Sequence, residues 1–159
     1  MTGPEPPLRF DQPPSRIVVI DDDPLAVKNL RRILEKEGYR VSTFTSPFRA
    51  LGRLEQEPCD LVISDVKMPQ MDGMSLLERV NQLAPGVGVI LITGYASLDG
   101  AVEATKSGAY HYLEKPFTPD KIRELVGRAL REKTLRERCL RQGEGGDPTR
   151  IGPVIIGRS

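Results

Sequence analysis

Aromatic residues are scarce in this chain, at 5% of the sequence with no tryptophan. With an apolar fraction of 38%, that is low but enough for a single core, so 159 residues read as one domain with tails. Charge of one sign is lacking too: the formal net charge is +1, which leaves no global field to draw in nucleic acid or an acidic membrane. No apolar run approaches the roughly 20 residues of a membrane-spanning helix. The opening MTGPEPPLRFDQPPSR has none of the apolar core of a secretory signal. Cys59 and Cys139 are far apart and lack metal-ligand spacing. They read as unpaired thiols in a reducing cytoplasm. The only histidine, His111, reads as a surface residue rather than a catalyst.

What is present is a series of short apolar runs that end in polar residues. Ile17-Val18-Val19-Ile20 runs into Asp21-Asp22-Asp23. Leu61-Val62-Ile63 runs into Ser64-Asp65, Val89-Ile90-Leu91-Ile92 into Thr93, and Tyr112-Leu113 into Glu114-Lys115. Amphipathic segments alternate with these runs. A helix from Pro24, with Leu25, Leu30, Ile33 and Leu34 at helical spacing, stops at Gly38. Ser46-Pro47 opens a second helix with Ala50, Leu51 and Leu54 inward. Met74–Leu83 is the third, with Leu76, Leu77 and Val80 inward, and 97–107 the fourth, ended by Gly108. Thr118-Pro119 caps a fifth that runs from Asp120 to Gln142. The strands are expected at Arg16–Ile20, Tyr39–Phe44, Leu61–Ser64, Gly88–Ile92 and Tyr110–Leu113.

Wholly apolar strands alternating with amphipathic helices imply α/β architecture: a doubly wound, five-stranded parallel sheet covered on both faces. The flavodoxin-like strand order 2-1-3-4-5 with five helices is expected. Ligand chemistry then belongs at the C-terminal strand ends, by the switch point. Three carboxylates, a hydroxyl and a lysine would meet there, a place for a divalent cation and a phosphoryl group. Asp23, before Pro24, can alternatively cap the first helix. Asp72-Gly73 reads as a turn into the third.

Four motifs, in order and each at a strand end, carry a resemblance to a known family. They are Val19-Ile20-Asp21-Asp22-Asp23-Pro24, the run Ser64-Asp65-Val66-Lys67-Met68-Pro69 on to Asp72-Gly73, Leu91-Ile92-Thr93-Gly94-Tyr95-Ala96, and Tyr112-Leu113-Glu114-Lys115-Pro116-Phe117. Over 16–130 the chain resembles the receiver domain of two-component response regulators. The resemblance implies that Asp65 accepts a phosphoryl group from a phosphohistidine on a sensor histidine kinase. A carboxylate is already ionised near neutral pH and needs no general base. It also implies Mg²⁺, bound by Asp22 and Asp65, by Asp21 mainly through water, and by the backbone carbonyl of Lys67. Lys115 pairs with a phosphoryl oxygen, through a peptide to Pro116 expected to be cis. Thr93 bonds another and Tyr112 follows it inward, so that local charge biases a two-state switch.

The output end has its own expectations. Residues 1–15 read as a disordered leader with five prolines. Residues 131–150 read as a linker helix and flexible linker. Within them, 131–141 is charged, and reads either as a solvated helix or as one that pairs with a second copy. The last segment, 151–159, looks like the start of the ATPase domain of sigma-54-dependent, nitrogen-regulation-type activators. The chain carries no Walker A loop, so ATP hydrolysis and DNA contact fall to attached domains. A homodimer through the linker helix, or through the face of the fourth helix, fifth strand and fifth helix, is expected. The alternatives are a stand-alone receiver acting by protein contact, an aspartyl-nucleophile phosphatase and a flavin protein. Lys67, where such phosphatases usually have an acid/base aspartate, argues that this is not an enzyme. Asp21–Asp23 would repel a flavin phosphate.

Overall fold

The structure, a computed structural model, describes residues 14–142. The expectations for the leader before residue 14, for the flexible linker after 142 and for 151–159 lie outside the described residues. Five strands and five helices alternate: β1 (Arg16–Ile20), α1 (Pro24–Glu35), β2 (Arg40–Phe44), α2 (Pro47–Gln56), β3 (Leu61–Asp65), α3 (Gly73–Leu83), β4 (Gly88–Thr93), α4 (Leu98–Lys106), β5 (His111–Glu114) and α5 (Pro119–Gln142). The strands are all parallel, in the order β2-β1-β3-β4-β5. Chain direction reverses its course across the sheet between β1 and β3, which is the switch point.

Each helix begins on a residue that can accept from its own first turn. Asp23 accepts from the Leu25 amide at 3.0 Å, Ser46 from Arg49 at 3.4 Å and Asp72 from Ser75 at 2.8 Å. Ser97 accepts from Gly100 at 3.0 Å and Thr118 from Lys121 at 3.1 Å. Such caps are worth about 1 kcal/mol each. They also fix where each strand-to-helix loop ends, and those loops carry the site. At the other end, Gly38 and Gly108 take positive φ, 93° and 100°, to turn the chain out of α1 and α4.

The sheet separates two core layers. One holds Ile17, Val19, Ile63, Ile90 and Ile92 against α1 and α5; the other holds Val18, Ile20, Val62, Val89 and Leu91 against α2, α3 and α4. Alternate residues of each strand therefore face opposite helices, and both faces are dry. One expectation is corrected. Leu25 is 74% exposed, and Val27 is buried in α1 in its place. Position 25 lies in the first turn, on the side of the helix away from the sheet. In α5, Ile122, Leu125, Val126, Ala129 and Leu130 enter the core.

Past Leu130, α5 remains attached to the domain. The Lys133 ammonium lies 3.5 Å from Asp60 Oδ1. Asp60 in turn accepts from the Arg16 amide at 2.8 Å and donates its own amide to the Arg16 carbonyl at 2.8 Å. The Tyr110 hydroxyl is hydrogen-bonded to Glu132; burial first, then that carboxylate, raise its pKa. Farther on, Leu135 is 57% exposed.

Candidate functional site

The ladders continue one residue past several strands and set the height of each polar side chain. The Asp21 amide donates to the Phe44 carbonyl at 3.2 Å, Val66 to Ile92 at 2.8 Å, and Lys115 to Thr93 at 2.8 Å. Asp21, Asp65, Thr93 and Lys115 are thereby carried to one edge of the sheet. Carboxylate oxygens of Asp21, Asp22 and Asp65 all lie within 4.8 Å of one another. Asp21 and Asp65 are buried, whereas Asp22 is exposed on the rim. The Lys115 ammonium sits 3.4 Å from Asp21 Oδ2 and 3.4 Å from Asp65 Oδ1. The peptide between Lys115 and Pro116 is cis, as expected.

One cation faces three carboxylates, and the electrostatics show the imbalance. Burial raises the pKa of Asp21, helped by the charge of Asp65 and opposed by the Asp23 amide, which donates to Asp21 Oδ1 at 3.0 Å. Burial also raises Asp65, and the attraction of Lys115 does not fully offset it. For Lys115, burial works against the charge, but Asp21 and Asp65 outweigh it and the net shift is upward. A crevice of hard oxygen donors with surplus negative charge suits a hard divalent cation. The donor set present therefore fits Mg²⁺.

Thr93 is buried, and its Oγ1 accepts from the Tyr95 amide at 3.0 Å. The hydroxyl is thus held by its own loop. Tyr112, beside Leu91 in the register, is half-buried against the α2–α3–α4 core layer. Lys67 is exposed on the β3–α3 loop, with its ammonium 4.7 Å from the centre of the Tyr95 ring. Asp23 takes no part in the three-carboxylate cluster; it is exposed and caps α1. Of the two readings of Asp23, the cap is the one its side chain displays, accepting from the Leu25 amide. His111 is half-buried in β5, where burial lowers its pKa. Burial pushes the Cys59 thiol up to about 11, so it is inert at neutral pH, and neither cysteine is paired.

The residue that sequence reasoning undervalued is Gly73. A Cβ there would lie 2.8 Å from the Asp65 carbonyl oxygen and 2.8 Å from Val66 Cα. Its amide donates to the Val66 carbonyl at 2.7 Å. The start of α3 is thereby pressed against the backbone of Asp65. The Asp72-Gly73 pair signalled only a turn.

A doubly wound parallel sheet, with clustered carboxylates and one facing lysine at the switch-point edge, defines the receiver class of α/β domains. The chain belongs to the response regulator receiver domain family, whose model matches residues 17–127. It is 39% identical over 119 residues to the transcriptional regulatory protein GlrR of Escherichia coli K12, covering 75% of this chain and 27% of that protein. It is 37% identical over 145 residues to the C4-dicarboxylate transport transcriptional regulatory protein DctD of Rhizobium meliloti, covering 90% and 31%. The chain thus spans about 27–31% of the length of these relatives. Among solved structures, a CheY-like receiver domain protein of Methanospirillum hungatei superimposes with a TM-score of 0.74 at 36% identity, over 77% of this chain and 98% of that one. The beryllofluoride-activated NtrC4 receiver domain dimer does so at 0.72 and 35%, over 74% and 98%.

Proposed function

We propose that Asp65 is the phosphoacceptor of a switch that a sensor histidine kinase operates and a transcription activator reads. The observation that supports this reading is the crevice itself: three carboxylates within 4.8 Å of one another and one ammonium 3.4 Å from two of them. An oxygen of the ionised Asp65 carboxylate forms a bond to phosphorus as the bond from phosphorus to the histidine nitrogen breaks. The electron pair returns to the imidazole. Lys115 is positioned to pair with a phosphoryl oxygen. Thr93 Oγ1 is one rotation from leaving the Tyr95 amide for another. Asp21, Asp22, Asp65 and the Lys67 carbonyl would hold Mg²⁺, which when bound neutralises charge so that an anion can approach an anionic pocket.

The transferred group adds about −1.5 to −2 charge. That charge draws Thr93 toward it, and Tyr112 turns into the space released, which alters the α4–β5–α5 surface. No second aspartate stands two residues after Asp65, where Lys67 is found, so the domain receives a phosphoryl group rather than turning over a substrate. With acetyl phosphate as donor, the chain is expected to gain one acid-stable, hydroxylamine-sensitive phosphoryl group in Mg²⁺, and none after chelation by EDTA. Phosphorylation unaffected by EDTA would overturn the metal assignment.

In the whole protein, we infer an attached ATPase of the sigma-54-dependent type and a DNA-binding domain, in the cytoplasm. Among the described residues no helix is long and apolar enough to cross a membrane. A homodimer is supported by apolar side chains left in water on the face named above. Tyr95 is 75% exposed, Leu98 80% and Val102 45%. Leu135 and Cys139 follow, both exposed and four apart on α5. Light scattering of a chain stopped after Lys133, which keeps Ala129 and Leu130 in the core and removes Leu135 and Cys139, is expected to show weaker self-association than the full chain. A dimer of unchanged strength would assign the contact to the α4–β5–α5 face and remove the linker helix from it.

A further inference from the structure

Gly100 lies in the first turn of α4, and its backbone gives no reason for a glycine. Its φ is not positive, and a glycine within a helix costs about 0.5–1 kcal/mol relative to alanine. Its amide makes the expected bond to the cap, Ser97 Oγ, at 3.0 Å. Any residue but proline could make that bond. The reason is in the space beside it. A Cβ at 100 would stand 2.5 Å from the Tyr112 hydroxyl oxygen, 3.2 Å from Tyr112 Cζ and 3.0 Å from Ser97 Oγ. The first of these is a clash that something must relieve by moving. Gly52 is the contrast: it too lies within a helix, α2, but a Cβ there meets nothing within 4 Å.

Gly100 therefore leaves a notch in the first turn of α4, and the end of Tyr112 rests in it. The same short segment begins at Thr93, whose hydroxyl is held back by the Tyr95 amide, and runs through the exposed Tyr95 and Leu98. We propose that Gly100 is a positioning residue of the switch: its missing side chain holds Tyr112 in the resting arrangement, and filling the notch drives Tyr112 and α4 toward the phosphorylated arrangement without a phosphoryl group. This rests on the phosphoacceptor reading above and names the residue that sets its resting balance. A clash confined to the arrangement seen here acts on one of two states, and that is the condition for shifting an equilibrium; the notch must then be unoccupied by Tyr112 in the other.

The test compares wild type, Gly100→Ala, Tyr112→Phe and the double variant by amide NMR in Mg²⁺, with beryllofluoride titrated in. Alanine suits the helical backbone at 100, so folding is not at risk. In Gly100→Ala, the resonances of Thr93 through Val102 are expected to move, before any beryllofluoride, along the line from the free to the beryllofluoride-bound wild type. By linkage, the half-saturating beryllofluoride concentration is expected to fall by about fivefold or more. The double variant keeps the alanine but loses the oxygen at 2.5 Å, leaving the looser contacts at 3.0 and 3.2 Å, so it is expected to return most of the way to the values of Tyr112→Phe alone. That return separates the notch from a general stiffening of α4. A responsive wild type with unmoved Gly100→Ala resonances overturns the inference alone, and so does a displacement that persists undiminished in the double variant. A wild-type chain that beryllofluoride leaves unchanged overturns the phosphoacceptor reading and this inference together.

Discussion

Asp65→Asn is expected to lose phosphorylation and the beryllofluoride response completely. The amide keeps the shape of the carboxyl but replaces an anionic nucleophile with a neutral, poorly nucleophilic group. It also removes the charge of one of the three clustered carboxylates, leaving those of Asp21 and Asp22. Phosphoryl incorporation that persisted in this variant would move the acceptor elsewhere. A second effect runs the opposite way. Asp65 is buried and its pKa is raised from the ordinary 3.8, with Asp21 raised beside it. In the folded state these groups hold protons that the unfolded chain has released, so stability falls as pH rises through that window. The penalty is absent below 3.8, grows above it, and is fully present above the raised folded-state values. The inactive variant is therefore expected to melt above wild type at neutral pH without divalent cation. The gap should close as pH falls toward 3.8, and melting curves taken across that range check it.

Gly73→Ala is expected to have the largest structural effect of any single methyl added here. The obstructing atoms, the Asp65 carbonyl oxygen and Val66 Cα, are backbone and cannot swing aside. Either α3 moves off the sheet, loosening Leu76, Leu77 and Val80, or the β3 end shifts and takes Asp65 with it. Overpacking of this sort costs about 1–3 kcal/mol, a fall in Tm of about 5–15 °C for a domain of this size. Phosphorylation by acetyl phosphate is expected to slow as well, because Asp65, the proposed acceptor, rides on the strained backbone. Gly52→Ala, which meets nothing, is the control and should hold or raise Tm. Equal melting of the two variants would show that the contact at 73 relaxes freely.

The strand ends were legible because their chemistry is local. A strand buried on both faces is a continuous apolar run, so the first polar residue after it marks the edge where ligands bind. Asp21 and Thr93 are that first residue, and Asp65 and Lys115 the one after it; the alternation with helices implies a parallel sheet, and its order was expected from the fold type rather than read from the residues. Leu25 was misjudged because periodicity assigns a face to a helix but does not say where the sheet starts to cover it; Pro24-Leu25 precede that cover. Gly73 and Gly100 were not legible for a different reason. What they contribute is empty space, and its worth depends on atoms brought close by the fold: the Asp65 carbonyl in one case, the Tyr112 hydroxyl in the other. The Asp60–Lys133 pair is likewise invisible in sequence. Two opposite charges 73 positions apart resemble any others until β3 and α5 are placed side by side.

That pair gives α5 a mechanical character. The helix has 24 residues, about 36 Å at 1.5 Å per residue. It begins shortly after Lys115, at the edge that carries the three carboxylates, and reaches Asp60 at the opposite end of the strands, where Lys133 is held. Lys133 stands about 21 Å from the start and about 14 Å from the last helical residue. The arrangement is that of a lever with its fulcrum off centre. The arm before Lys133 is bedded in the core by Ile122, Leu125, Val126, Ala129 and Leu130, so a tilt of the last strand would be carried by the helix as a rigid rod to the arm beyond Lys133. On the proposed phosphoacceptor reading, a small shift at a strand end would leave the domain as a directed motion, far from the charge that started it.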